Sequence, residues 1–503
     1  MIPGLTRPRR SLLLIGLIAV IGAVTFGKVL SFDFVYDDHW TIQTNAALDH
    51  SLAPILRAAF TGSGATRSIP DSTRPAMMAS MWLDHRLFGA QPAGYHAHSL
   101  LLYAICCGLA TWVLFGVTRS AKSAVAGGAF FALTPLHAEV VAAVNYREDL
   151  IAALGMLLVM ACVFSPRRAP SLDAAVLAAA CWAVALLGKE SAVALLPALL
   201  ATAFAHPPTR AWISARRPVW WALLVVFVVW GSWRAMIRLK GVDDVPVAAS
   251  RGALETVLAT ARYSVRVLTS ALFPFTWSPD YARQGPASPW WLFALLGCVA
   301  SIALFMRRRG TRLVAAGIAF ALLTALPTSP LIGPANEFAD RYVFVPALGG
   351  AMVWGWAAER LGRRIPRKLR PALVALAAIP FLIGAARAVA PWVNDLTLWT
   401  EATRRAPNAP RSWVGLSRAQ RLAGDPTGAE TSIERALAIE PRSPAARVTL
   451  AYLRLSEGRL DAARKELDQL RALGASRQRG FARASTCAAL EDPKAAAECI
   501  RAP

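Results

Sequence analysis

Two carboxylates stand side by side at Asp37 and Asp38, in the stretch FDFVYDDHW (residues 32–40), a few residues after an unbroken apolar run. Adjacent acids can chelate a divalent ion, give a general base to a substrate hydroxyl, or simply begin a solvated loop. Other polar residues gather in short blocks further on. TPLHAEVVAAVNYRED (134–149) carries His137, Glu139, Arg147 and Asp149. Eight residues separate Glu139 from Arg147, so on one continuous helix they would share a face. LLGKESAV (186–193) is a charged break between apolar runs, in which Lys189 and Glu190 could neutralise each other. ANEFADRYVFVP (335–346) brings Asp340 and Arg341, and GYHAH (94–98) brings His96 and His98. If these residues meet, two or three cations face several carboxylates. Cations bind phosphate, and a carboxylate can take a proton from an acceptor hydroxyl. Together they describe sugar transfer from a polyprenyl-phosphate donor, whose isoprenoid tail requires a membrane.

The chain supplies one. Of its 503 residues 55% are hydrophobic and 17% charged, and its mean hydropathy is +0.42. That excludes an ordinary soluble enzyme of this length. A helix needs about 20 apolar residues to cross the hydrocarbon core. Eleven runs qualify, some of them short: 11–30, 96–118, 121–138, 149–165, 172–188, 191–206, 219–237, 290–306, 313–330, 342–358 and 371–390. The first reads as a retained span rather than a cleaved leader. Residues 251–277 alternate Arg with apolar residues at helical spacing and read as an interfacial helix.

The net charge of +23 could suggest nucleic acid, but its placement argues otherwise. Segments 1–10, 119–122, 166–171, 207–218, 307–312 and 360–370 hold 20 Lys and Arg and no Asp or Glu. They are alternate connections of an eleven-span chain. The positive-inside rule puts them in the cytoplasm, which accounts for most of the excess charge without nucleic acid. The intervening connections then face outward. They contain Asp37, Asp38, Glu139, Asp149, Glu190, Asp243, Asp244, Asp280 and Asp340. Acids at membrane depth are costly and mark function.

After residue 396 the composition turns helical, charged and Ala-rich. A step of 34 residues links Pro407 to Pro441, Pro410 to Pro444, Gly424 to Gly458 and Ala429 to Ala463. That is the tetratricopeptide period. Two repeats, 408–441 and 442–475, follow a half-repeat at 396–407 and precede a degenerate closing pair. Such arrays expose a concave face that holds a peptide or protein, or they serve as a cap. An odd span count sets the array outside the cytoplasm. There Cys487 and Cys499 could pair; otherwise they are two unpaired helical thiols.

The blocks FVYDDHWTIQTN, RPAMMASMWLDHRLFGAQPAGYHAHSLLLY, LTPLHAEVVAAVNYREDLIAAL, GKES, RYSVRVLTSALFPFTWSPDY and DRYVFVPALGG occur in that order. Their succession resembles the transmembrane-and-tetratricopeptide (TMTC) O-mannosyltransferases and their bacterial relatives, of the GT-C superfamily. The resemblance covers most of residues 30–350. It implies an all-α polytopic fold: a GT-C bundle of about eleven spans over residues 1–395, and a repeat domain over 396–503. It implies a catalytic acid in the first outer loop, Asp37 first and Asp38 second, with Asp38 alternatively positioning the acceptor. Arg147, Lys189 and Arg341 fall on the family's basic positions and are assigned to donor phosphate. Glu139 matches the acid of the His-x-Glu block, and Asp280 and Tyr281 match the Asp-Tyr pair closing the second large outer loop. His96, His137, Asp149, Glu190 and Asp340 would support the cavity. The donor would be a polyprenyl-phosphate-linked sugar, with mannose inherited from the resemblance. The acceptor would be a hydroxyl, plausibly on a protein held by the repeats. A divalent metal, on Asp37, Asp38 and Glu139, stays open. GKES stands where Ser-Lys-Glu is more usual, and the array is shorter than in eukaryotic members. An Ala- and Arg-rich composition suggests a GC-rich bacterial genome, hence an inner-membrane protein with a periplasmic outer side. A lipid-linked sugar transporter and a non-catalytic scaffold displaying the repeats are the rival readings. The absence of carboxylates from the cytoplasmic loops counts against a transporter.

Overall fold

A computed structural model describes residues 7–62, 69, 71–164, 172–203, 214–239, 252–332, 337–474, 481–490 and 492–501. Segments 1–6 and 166–171, part of 207–218, and the acids Asp243 and Asp244 lie outside the described residues. Among those described, every regular element is a helix. The chain forms two compact units: Met1–Asp33, Asp37–Trp277 and Gly285–Ala390 in the first, and Phe34–Tyr36, Ser278–Gln284 and Pro391–Pro503 in the second.

In the first unit the described residues of each of the eleven apolar runs are mostly helical. Four helices, Pro92–Thr118, Arg217–Leu239, Arg309–Thr328 and Arg370–Val393, are long and apolar enough to cross a membrane by themselves. The pair Ala121–Leu133 and Pro135–Ala142 passes the same test together, bent by 51°. The other runs form shorter apolar helices or helices in which apolar and charged turns alternate, among them Arg147–Phe164, Leu172–Gly188, Trp290–Met306 and Ala347–Arg364. Trp290–Met306 buries no residue, although it is apolar throughout. A helix with that surface needs lipid around it. The first unit is that of a membrane protein.

Inner helices approach closely through small residues. A Cβ on Gly317 would strike the Gly349 carbonyl, and one on Gly349 would strike that of Gly317. Helices Arg312–Ala325 and Ala347–Arg364 therefore meet backbone to backbone, which is how helices pack where burial from water offers no drive. Ala253–Leu272, read from sequence as interfacial, buries one face that includes Tyr263, Val267 and Ala271.

Breaks fall where the charges are. After Leu133, Pro135 opens a short 3-10 turn, Ala138–Ala142 adds five helical residues, and Ala143 is extended. A second 3-10 turn, Val144–Tyr146, leads into Arg147–Phe164. The shared helical face expected for Glu139 and Arg147 therefore does not exist; the break turns the two side chains to different partners. Lys189 is extended between helix Leu172–Gly188 and the 3-10 turn Glu190–Ala194, and Asp340–Val343 is a 3-10 turn ahead of Ala347–Arg364.

The second unit is a stack of helix pairs. Pro410–Leu422 pairs with Pro426–Ile439, and Pro444–Ser456 pairs with Leu460–Ala472. Each pair turns on a glycine in the left-handed region, Gly424 at φ 82° and Gly458 at φ 74°. The 34-residue step thus repeats a backbone conformation as well as a composition. Ala429, Ile433 and Ala436 pack on Ala446, Leu450 and Leu453 of the next pair. Phe481–Ala488 and Pro493–Arg501 close the stack, joined by a Cys487–Cys499 disulfide.

A Cβ on Gly458 would sit 3.3 Å from the Cβ of Pro493 as well as demanding positive φ. Gly458→Ala should cost about 1–2 kcal/mol, read as a lower urea midpoint for the repeats of the full chain. Gly362→Ala, with no such φ and nothing within 4 Å of the added carbon, is the control and should leave that midpoint in place.

Candidate active site

The two adjacent acids have different jobs. The Asp37 carbonyl accepts from the Trp40 and Thr41 amides, 3.0 and 2.9 Å away, and so starts the turn His39–Gln43. Asp37 is half-buried. Asp38 is fully buried, and its two oxygens accept from the amides of Val144 (3.2 Å) and Asn145 (2.6 Å). Those amides belong to the broken helix, where the backbone has lost its own acceptors. Asp38 is thereby committed to the chain. Asp37 is the acid whose carboxylate lies in the electrostatic field of Asp71.

Three cations lie in one ionic network. Arg74, just before helix Pro75–Phe88, reaches Glu148, Glu190 at 3.0 Å and Asp71 at 3.3 Å. Glu148 also binds Lys189 at 2.9 Å, and Lys189 binds Asp149 at 2.6 Å. Lys189 and Glu190 thus do not neutralise each other; each turns to another chain segment. The charges of Arg341 and Arg74 both act on Lys189. Arg341 pairs with Glu139, whose second oxygen accepts the Arg341 amide at 2.8 Å. Its guanidinium lies 4.0 Å from the Tyr146 ring centre and 5.0 Å from that of Tyr342, and Lys189 sits 5.9 Å over Tyr342. Among the described residues a carboxylate engages Nη1 of Arg341 and none engages Nη2 or Nε. Burial pushes the Asp71 carboxyl up to about 6, against the pull of Arg74 and with the charges of Glu148 and Asp37 adding to the rise.

The remaining expected residues lie elsewhere. Arg147 is wholly buried in a network of its own. Asp84 takes it as an ion pair, with Ser80 at 2.9 Å, Ser99 at 3.1 Å and the Tyr95 carbonyl at 2.8 Å completing its shell. His98 closes that group on Asp84 at 2.7 Å. A guanidinium so enclosed has little left for a phosphate. His96 contacts the Asp33 carbonyl at 3.3 Å. His137 is buried beside the Tyr103 hydroxyl, 3.1 Å away, among Phe131 and Phe344. Asp340 is buried in its 3-10 turn. Asp280 and Tyr281 belong to the second unit, where Asp280 pairs with Arg411 and accepts from the Ser412 hydroxyl at 2.7 Å. Among the described residues no three His, Cys, Asp or Glu side chains gather as a cation site. The suggested metal set fails for a physical reason: Asp38 is spent on backbone amides and Glu139 on Arg341.

Arg74, Asp71, Glu148, Tyr146 and Tyr342 were not singled out from sequence. Arg74 had a signal, a cation directly before the proline that opens helix Pro75–Phe88. Glu148 stood between two chosen residues, and neighbours on a helix point about 100° apart. Hence Arg147 and Glu148 enter different networks.

The fold and these clusters define a polytopic helical membrane protein with a charged cluster at its helix breaks and a tetratricopeptide stack. The tetratricopeptide repeat family matches residues 420–480. The chain is 33% identical over 147 residues to protein O-mannosyl-transferase Tmtc1 of Drosophila melanogaster, covering 28% of this chain and 17% of that protein. To TMTC2 of Mus musculus it is 33% identical over 147 residues, 29% of this chain and 18% of that one. To Tmtc2 of Drosophila melanogaster it is 32% identical over 187 residues, 34% and 20%. The resemblance to the TMTC O-mannosyltransferases is borne out, while the match spans only about a fifth of those relatives' length. Among solved structures, ArnT from Cupriavidus metallidurans bound to undecaprenyl phosphate aligns over 86% of this chain and 76% of its own, at 16% identity and a TM-score of 0.40. The Archaeoglobus fulgidus oligosaccharyltransferase aligns over 74% and 53%, at 15% and 0.37. Overlaps this loose carry no argument.

Asp84→Ala would leave Arg147 charged, buried and unpaired, at about 3–5 kcal/mol. Detergent-solubilised protein should lose thermal stability accordingly, whereas Asp84→Ala combined with Arg147→Met should recover much of it.

Proposed function

We propose that this protein transfers a sugar from a polyprenyl-phosphate donor to a hydroxyl acceptor, with inversion, on the outer face of a bacterial inner membrane. The observation that carries the reading is a half-buried acid, Asp37, fixed beside an amide-clamped Asp38 in the same unit as a network joining Arg74, Lys189 and Arg341. Asp37 takes the proton of the acceptor hydroxyl. The oxygen forms its bond to the anomeric carbon as the carbon–oxygen bond to phosphate breaks. The bonding pair leaves on the polyprenyl phosphate, whose growing charge needs cations held ready in a water-poor site.

Arg341 is the first of those cations. It keeps two donor positions clear of carboxylates among the described residues, and Tyr146 and Tyr342 fix its plane. Lys189 and Arg74 lie behind it, each already held by acids, and act through field and positioning. Arg147, assigned to phosphate by family position, here braces helix Pro75–Phe88 through Asp84. The names of the relatives favour mannose as the sugar and Ser or Thr of a protein as the acceptor. The repeats offer that acceptor a docking surface. The outer side follows from the basic connections and agrees with a disulfide in the tail.

Mass spectrometry of periplasmic proteins and surface glycans from a deletion strain tests this. Complementation with the parent chain should restore a hexose-modified species, and Asp37→Asn at equal abundance should not. Arg341→Ala should lower the amount about 10²- to 10³-fold, as loss of one transition-state donor does. If Asp37→Asn restores the full parental pattern, the transferase reading falls. The rise in Asp71 sets a pH test in the same strains. Its folded pKa lies above the ordinary 3.8, so Asp71 gains its charge only as pH rises toward about 6. A transfer rate that bends near pH 6 in the parent should lose that bend in Asp71→Asn.

A further inference from the structure

Charge in the repeat stack is sorted by helix. The first helices of the three pairs, Pro410–Leu422, Pro444–Ser456 and Phe481–Ala488, carry six Arg and no Asp or Glu. The second helices, Pro426–Ile439, Leu460–Ala472 and Pro493–Arg501, carry six acids against six bases. The two sets also lie differently. Pro444–Ser456 packs on both of the other first helices, whereas Pro426–Ile439 and Leu460–Ala472 have no comparable contact with each other. Helices that converge in this way line the inner side of a curved stack, the side on which repeat proteins hold extended ligands.

Acids outside the first helices pair with Arg411, Arg447 and Arg454: Asp280 with Arg411, Glu466 with Arg447 at 2.7 Å, and Glu430 with Arg454. The charges of Arg418, Arg421 and Arg483 converge on Tyr452 of the middle first helix. Burial raises the Tyr452 hydroxyl pKa, and these three arginines pull against that rise. Each exposed arginine of the three has an anchor. Arg418 Nε donates to Thr449 Oγ1 at 2.9 Å, which leans it across onto the middle helix, and Arg483 Nη2 donates to the Cys499 carbonyl at 3.1 Å. Tyr452 packs on the apolar cluster that closes the stack.

We propose that the inner face of the repeat stack binds an acidic segment of another polypeptide, its carboxylates laid against Arg418, Arg421 and Arg483 around Tyr452. The proposal concerns binding and does not depend on the assignment of Asp37. Guanidinium forks match carboxylates in geometry as well as charge, and a tyrosine hydroxyl can donate to them. A basic helix face that lies on lipid also carries a row of exposed apolar side chains. Among the described residues of the three first helices, Leu422 is the one exposed large apolar side chain.

Full-length protein in phosphatidylcholine nanodiscs, titrated with a fluorescently labelled peptide of alternating Glu and Ser, tests this by anisotropy. The peptide should bind, its Gln–Ser analogue should not, and binding should weaken as NaCl rises from about 50 to about 300 mM. Arg418→Gln and Arg483→Gln should each weaken binding about two- to fivefold, and together with Arg421→Gln about tenfold or more. Arg435→Gln, on the exposed side of a second helix, should leave it unchanged. The double reversal Arg418→Glu with Arg483→Glu should lose the Glu–Ser peptide and take up a Lys–Ser one, a gain that a damaged stack cannot produce. Equal affinity for the Glu and Gln peptides overturns the proposal, as does parental affinity in the triple variant. Should the triple variant fail to accumulate, parental affinity in both single variants overturns it equally. Slower hydrogen exchange of residues 410–422 and 444–456 in phosphatidylglycerol nanodiscs, with no protection by the peptide, makes this face a lipid contact and also overturns it.

Discussion

A helix that breaks at membrane depth leaves amides that neither water nor a helical carbonyl can satisfy. At residues 144 and 145 those amides find the two oxygens of Asp38. Much of the first unit's polar architecture follows from that clamp. It permits the chain to stop being helical at Ala143 and to restart at Arg147. The stop lets Glu139 reach Arg341 and sets the Tyr146 ring against the same guanidinium. The restart turns Arg147 toward Asp84 and Glu148 toward Arg74 and Lys189. A continuous helix through this stretch would put these side chains on one regular surface. They would then serve one network where the protein has two.

Charge balance explains why the cluster is dense rather than simply basic. Arg74, Lys189 and Arg341 are met by Asp71, Glu139, Glu148, Asp149 and Glu190. Buried ion pairs contribute little net stability, and their desolvation often cancels their attraction. Their use here is geometric: each cation is fixed before any ligand arrives. A site so rich in acid repels stray anions. Among the described residues the donors clear of carboxylates are Nη2 and Nε of Arg341. Preorganised charge of this kind acts most strongly where water is sparse.

Much of this was legible in the sequence because it depends on period and composition. The described residues of the apolar runs are mostly helical, as hydrocarbon demands. The 34-residue step became stacked helix pairs turning on Gly424 and Gly458. Lys189 and Arg341 lie in the cluster because a charge within an apolar run must be paired at the place where the helix breaks. What could not be read was partner choice. Nothing in the string distinguishes Arg147, enclosed by Asp84 from a helix 63 residues earlier, from Arg74, which joins Glu148 from 74 residues away. Nor does it show that Asp280 pairs with Arg411 rather than with the cations of the first unit. Such pairings follow from how helices cross, and only the fold sets that.

Two neighbouring aspartates offer a final lesson in how one sequence motif divides its labour. Consecutive residues in a tight turn cannot both aim their side chains at one point. Here the second is spent on the backbone amides of Val144 and Asn145, so that both oxygens of Asp38 already accept. Asp37 lies in the field of another acid, Asp71. The chemistry that suits each residue therefore follows from what surrounds its oxygens, and the order of the pair in the chain follows from which of them the broken helix can reach.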